Sequence, residues 1–165
     1  MKKLIILNFI FAVGLFGINK SFEERIDKTF LFKSGSKLEL KNQNGRIHIN
    51  SWDKDSIKIE MTKIVRTRSQ EKADELFGKF VINIENRDGL VTINTELPEK
   101  SNGAVEFNIS VPSKADLDLM TFNGSVVVIK VDGSIHLVTY NGLIKGEDIS
   151  GKITMQSSNG KILLN

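Results

Sequence analysis

The chain has 165 residues, 40% of them hydrophobic and 26% charged, with no cysteine and a formal net charge of +3. That composition supports a globular core, and the absence of cysteine excludes disulfides, thiolate catalysis and a lipid-carrying cysteine. The positive charge is local. Lys2, Lys3 and Lys20 lie at or before position 20 and all 20 acidic residues lie after it, so residues 21–165 carry 20 charges of each sign. A basic surface for nucleic acid or anionic membranes is therefore not expected, and no nucleic-acid partner is read.

The chain opens with MKK and the apolar run Leu4–Ile18, LIILNFIFAVGLFGI. A span of about 20 residues is needed to cross a bilayer. A basic start followed by an apolar stretch of this size predicts a secretory signal peptide over residues 1–20, with an uncleaved anchor as the other reading. The Ala-x-Ala pattern of a cleavage site is missing before Ser21. Export to the periplasm, the cell surface or the medium is the expected location, with no membrane span once the signal is removed.

Residues 21–28 are polar and are expected to attach loosely. Short strands are predicted next. Phe30–Phe32 is an apolar run, and Leu38 and Leu40 alternate with charged residues up to the turn at Asn44-Gly45. Ile47 and Ile49 alternate after it, then Ile57, Ile59 and Met61 beyond a turn at Trp52–Asp55. Asn-Gly between alternating segments is a strong turn signal. Residues 68–79 change period: Ala73, Leu76 and Phe77, continued by Phe80, share a helical face, with Ser69 available as N-cap. Strands resume around Ile82 and Ile84, Val91 and Ile93, and Val105, Phe107, Ile109 and Val111, the last ended by Pro112.

Beyond Pro112, Gly124, Gly133, Gly142, Gly151 and Gly160 recur every nine residues. Each follows Asn, Asp or Ser and precedes, by two positions, Val or Ile. The 18-residue period is stronger. It aligns Thr121, Thr139 and Ser157; Phe122 and Tyr140; Leu119, Leu137 and Met155; and Leu117, Ile135 and Ile153. A fixed period predicts a repeat architecture. The expectation is a mainly β fold: a flattened β-solenoid of 18-residue coils, with repeats over about 115–165 and one short helix in the N-terminal half. Gly45, Gly124, Gly133, Gly142, Gly151 and Gly160 are its expected turn glycines. An antiparallel meander with Asn-Gly hairpins is the competing fold. Residues 21–165 are read as one domain.

Over residues 30–165 the chain resembles the putative adhesin domains of bacteria and is similar to auto-transporter adhesin head-type domains. The stretches that carry the resemblance are LELKNQNGRIHINSWDKDSIKIE, FNISVPSKADLDLMTFNGSVVV and the Asn-Gly repeats. The resemblance implies an exported β-solenoid. Members of that family usually carry further coils, so an exposed last coil at Ile162–Leu164 is expected to self-associate.

Candidate sites are few. The calcium nonapeptide would need Asp where Val126, Ile135, Ile144, Ile153 and Ile162 stand. The acids Asp116, Asp118, Asp132, Glu147 and Asp148 read as solvated turn residues rather than a glycosidase pair. His48 and His136 alternate outward, and two histidines without cysteine build no zinc centre. No cofactor is expected. Trp52 is either a sugar-stacking ring or a packed turn residue. Phe122 and Tyr140, flanked by Thr121 and Thr139, form an aromatic pair one coil apart; pointing out they would stack on glycan rings or a partner protein. Their position before the Asn-Gly corner favours burial. The expected function is a non-catalytic, adhesin-like binding scaffold for a protein or glycan at the cell surface. A periplasmic structural or stress-response role comes second and a glycan-active enzyme third.

Overall fold

The computed structural model describes residues 20–99 and 101–165. The expected signal peptide lies outside the described residues except for Lys20. Among the described residues no helix is long and apolar enough to cross a membrane.

Among the described residues thirteen strands and one helix follow one another. They are β1 (Lys20–Leu31), β2 (Lys37–Asn44), β3 (Ile47–Trp52), β4 (Ser56–Thr67), α1 (Gln70–Phe77), β5 (Val81–Arg87), β6 (Leu90–Glu96) and β7 (Ala104–Pro112). Then come β8 (Asp116–Asn123), β9 (Val126–Ile129), β10 (Asp132–Asn141), β11 (Ile144–Glu147), β12 (Ser150–Asn159) and β13 (Ile162–Leu164). One sheet has the order β1-β4-β7-β3-β9-β11-β13 and the other β12-β10-β8-β2-β6-β5.

These are two open, mixed sheets, and the β-solenoid expected from the sequence is not formed. A solenoid lays each coil beside the one before it. Here β2 sits between β6 and β8, and β3 between β7 and β9, while β1, β4 and β7 pair antiparallel, as do β5 and β6. The 18-residue spacing survives as parallel register. Leu117 pairs with Ile135 and Ile135 with Ile153; Leu119, Leu137 and Met155 follow suit. The sequence period reported which residues stack. It carried no information on where the earlier strands insert.

Strand alternation buries one face of each sheet. Leu38, Leu40, Ile49, Ile59, Ile93, Ile109, Leu119, Val126 and Leu137 are inaccessible and belong to one apolar cluster. Burying a side chain of this size contributes about 1.5–3 kcal/mol. Burial thins toward the end of the stack: Ile135 is buried, Ile153 and Met155 only partly so, and Ile162, Leu163 and Leu164 are exposed.

Two further readings are corrected or sharpened. Residues 21–28 are not loose, because β1 pairs with β4 along its whole length and Phe22 is buried. The helix forms as its period predicted. Ser69 Oγ accepts from Lys72 N at 3.3 Å, and Ala73 and Phe77 are buried. Lys63 Nζ donates to Glu24 Oε2 at 3.1 Å and to Phe77 O at 3.3 Å, tying the helix C-terminus to β1 and β4.

The glycines of the Asn-Gly corners answer to close approach. A Cβ on Gly124 would collide with the Gly45 carbonyl, and one on Gly142 with that of Gly124. Gly45 alone of these three also has positive φ, at 121°. Backbone rests on backbone at each corner, with no room for a methyl group. Gly142→Ala is therefore expected to cost about 1–3 kcal/mol in urea unfolding, the range for overpacking. Gly78→Ala serves as control: Gly78 has φ −64° and its added Cβ meets atoms no nearer than 3.6 Å. It should be neutral or stabilise by up to about 1 kcal/mol. Equal losses in the two variants would refute the close-approach account.

Candidate binding surfaces

The corners position the aromatic pair. At each corner the glycine N–H donates to the asparagine carbonyl of the next strand: Gly45 to Asn123 at 2.8 Å, Gly124 to Asn141 at 3.1 Å and Gly142 to Asn159 at 3.2 Å. Inside this spine, hydroxyls close the glycine carbonyls. Thr121 donates to Gly45 O at 3.2 Å, Thr139 to Gly124 O at 2.9 Å and Ser157 to Gly142 O at 3.2 Å. Outside it the asparagine amides form a ladder. Asn123 donates to Asn44, Asn141 to Asn123 and Asn159 to Asn141, at 2.7–3.0 Å.

Phe122 and Tyr140 stand between the inner hydroxyls and the outer amides. They project away from the core, 49% and 45% exposed, against the sequence expectation of burial. Alternation decides it: Thr121 and Thr139 are fully buried, so the residues next to them face out. The two rings stack with centroids 4.7 Å apart and planes 4° from parallel. That separation is the strand spacing itself, about 4.8 Å. Thr121 and Thr139 are thus corner braces, and of the expected site residues only Phe122 and Tyr140 share an exposed surface.

Trp52 lies elsewhere. It ends β3, at the far end of the strand that leaves the Asn44-Gly45 corner. Its Nε1 donates to Ser56 O at 2.7 Å, and Lys54 Nζ sits 4.9 Å from the ring centroid. The ring is half-buried, bonded to its own turn and faced by a cation, apart from the Phe122–Tyr140 pair.

A second feature had no signal in the sequence. A cleft of about 640 Å³ opens on the outer face of the seven-stranded sheet. Arg25 and Asp27 of β1, Glu60 of β4, Asn108 of β7, Arg46 and His48 contribute to its walls. Cross-strand register brings them together from segments up to 83 residues apart (Arg25 to Asn108). Arg46 is paired with Glu106 at 3.0 Å, and Asn108 donates to Glu60 at 3.0 Å. His48 has its pKa held below the usual 6.5, first by burial and then by the Arg46 charge. Its Nε2 is buried without a hydrogen-bond partner among the described residues. His136, by contrast, is exposed and lies 3.0 Å from Asp118. Among the described residues no group of three or more His, Cys, Asp or Glu is placed to hold a metal ion.

No protein-family model matches the chain, and no curated protein matches it. Among solved structures it is similar to a putative cell adhesion protein from Clostridium sporogenes at 14% identity. That match covers 86% of this chain and 99% of the other, with a TM-score of 0.46. It is similar to a putative adhesin from Bacteroides fragilis at 9% identity, covering 86% and 97% with a TM-score of 0.30. A putative lipid binding protein from Parabacteroides distasonis matches at 10% identity, covering 85% of this chain and 62% of that one with a TM-score of 0.36.

The His48 environment gives a pH dependence with a definite sign. A histidine whose folded pKa is lowered favours the neutral form, so the unfolded chain binds the proton more tightly. Stability is complete above pH 6.5 and falls as pH drops from there toward the folded pKa. In calorimetry between about pH 7.5 and pH 5, the wild type should lose more melting temperature than His48→Gln. Parallel profiles for the two proteins would rule the assignment out.

Proposed function

We propose that this chain is a non-catalytic, exported envelope or surface protein that binds its partner through Phe122 and Tyr140. One observation carries the reading: two large rings, stacked at 4.7 Å, are held half-exposed on a sheet whose hydrogen-bonded corners fix them. Two stacked rings left half in water at a rigid site offer a preformed flat apolar surface for a partner. Its immediate polar neighbours are asparagine amides that hydrogen-bond to one another, groups suited to contact rather than to proton transfer at neutral pH. The apolar Leu4–Ile18 segment and the resemblance to adhesin domains support export.

The reading extends to association between copies. Ile162, Leu163 and Leu164 are 45%, 44% and 59% exposed on β13, which lies at the edge of its sheet. An apolar edge strand is a template for pairing.

Location is tested by protease shaving of intact cells, read with an antibody to residues 21–165. Loss of signal is expected for a surface protein; protection until the envelope is broken would turn the reading to a periplasmic role. Binding is tested on immobilised envelope and host-matrix glycans and proteins. Phe122→Ala combined with Tyr140→Ala should weaken capture by about tenfold or more, as loss of an interface hot spot does. Undiminished capture would remove the pair from the function. In sedimentation, Leu164→Lys should abolish concentration-dependent association; a wild type that stays monomeric at high concentration would exclude it.

A further inference from the structure

The aromatic column has a vacant position. On the outer face of the six-stranded sheet, the register of β8, β10 and β12 sets Phe122, Tyr140 and Ser158 in one row. Phe122 and Tyr140 fill their places with stacked rings, and Ser158 fills the next with a hydroxymethyl group. One ring face of Tyr140 is covered by Phe122. The other looks toward the row position of Ser158, one strand spacing of about 4.8 Å away, whose side chain is too small to cover a ring. Its 45% exposure agrees with a ring covered on one face only.

The floor of this position is uncharged, with Lys161 beyond the corner as the nearest cation in sequence. Outward from β12 come Thr154, Gln156 and Ser158, all exposed. Residues two apart on one strand face lie about 7 Å from each other, so Gln156 and Ser158 span the width of a single six-membered ring. Asn159, whose Nδ2 donates to Asn141 at 3.0 Å, bounds the corner side. The row is therefore an apolar wall of one aromatic face beside a floor of hydroxyls and amides.

We propose that this slot binds one pyranose ring of a neutral glycan. The ring would lay its C–H face on Tyr140 and turn its hydroxyls to Ser158, Gln156 and Thr154. A pyranose has that division of surface, apolar on its faces and polar around its edge. A flat aromatic side chain would leave the hydroxyls and amides of the floor without partners, and the floor row Thr154, Gln156 and Ser158 holds no cation to pair an acidic sugar, Lys152 and Lys161 standing beyond its two ends. The inference rests on the proposed role of the aromatic pair and names the class of ligand that the pair takes.

The test uses the full chain with cellotetraose, mannotetraose and chitotetraose as neutral probes and a tetragalacturonate as the acidic one. Tyr140 is the chain's only tyrosine, so its ring protons give a unique signal for saturation transfer to a bound sugar. At least one neutral probe should receive saturation from Tyr140. Tyr140→Ala and Ser158→Phe, the latter filling the slot with a third ring, should each weaken binding by about tenfold or more. Both positions are exposed, and unchanged circular dichroism and melting temperature show that each variant folds. Loss in Tyr140→Ala with full binding in Ser158→Phe overturns the slot while leaving the aromatic pair as the binding surface. Preference for the tetragalacturonate, or capture of a protein partner through the pair with no neutral glycan bound, overturns the ligand class and spares the pair. No binding of any probe, together with capture unaffected by the Phe122/Tyr140 double substitution, overturns both readings.

Discussion

Everything in the stacked half of the molecule depends on the contact of glycine backbone with glycine backbone at the Asn-Gly corners. Gly45, Gly124, Gly142 and Gly160 lie so close that each occupies the space a Cβ of the next would need. The approach lets three parallel sets of hydrogen bonds form at the strand spacing: threonine or serine hydroxyls inside, peptide groups in the middle, asparagine amides outside. Each bond contributes only about 0.5–1.5 kcal/mol net, but a buried carbonyl left without one costs about 1–3 kcal/mol. The buried Asn42 shows how closely the requirement is met. Where β2 has no threonine, Asn42 donates to Val105 O at 2.8 Å and accepts from Thr95 at 2.7 Å.

The corner also explains which side chains are free to act. Hydroxyls that look like ligands in the sequence are committed to the backbone, so Thr121 and Thr139 are closed to any partner. In the β8 and β10 corner segments the residue between hydroxyl and amide makes no side-chain hydrogen bond that holds the corner. Phe122 and Tyr140 are these residues. Stacking offsets part of the cost of leaving the rings in water, about 0.5–1.5 kcal/mol for such a pair. Gln43, in the same row of β2, instead accepts from Leu97 N at 2.9 Å and fastens the loop after β6.

Local features were legible in the sequence and long-range ones were not. The glycine spacing, the pairing of Leu119 with Leu137 and Met155, the α1 cap at Ser69 and the alternation of Val105–Val111 all depend on residues near in sequence or related by a fixed period. The order of strands depends on which edge wins a partner, and nothing in β2 or β3 advertises a pairing with β8 or β9. That is where the solenoid reading failed. The polar look of β1 hid a strand because its outward face is charged while Phe22, Ile26 and Phe30 supply the inner contacts. The aromatic pair was visible as a pair, but its direction was misjudged from its nearness to a turn instead of from the parity of Thr121. The cleft around His48 was invisible, since Arg25, Glu60 and Asn108 meet only through antiparallel register.

The insertion of β2 between β6 and β8 has a kinetic consequence. Leu38 pairs with Val91 on one side and Leu117 on the other, so this central strand cannot acquire both neighbours until about eighty further residues are available. Contacts of such separation carry a high loop-closure cost and place the fold among slow, high-contact-order topologies. β1 and β4 pair with each other early, but β2 gains both its neighbours only late. The second strand waits for the eighth, so the six-stranded sheet closes around β2 only after the Asn123-Gly124 corner has arrived.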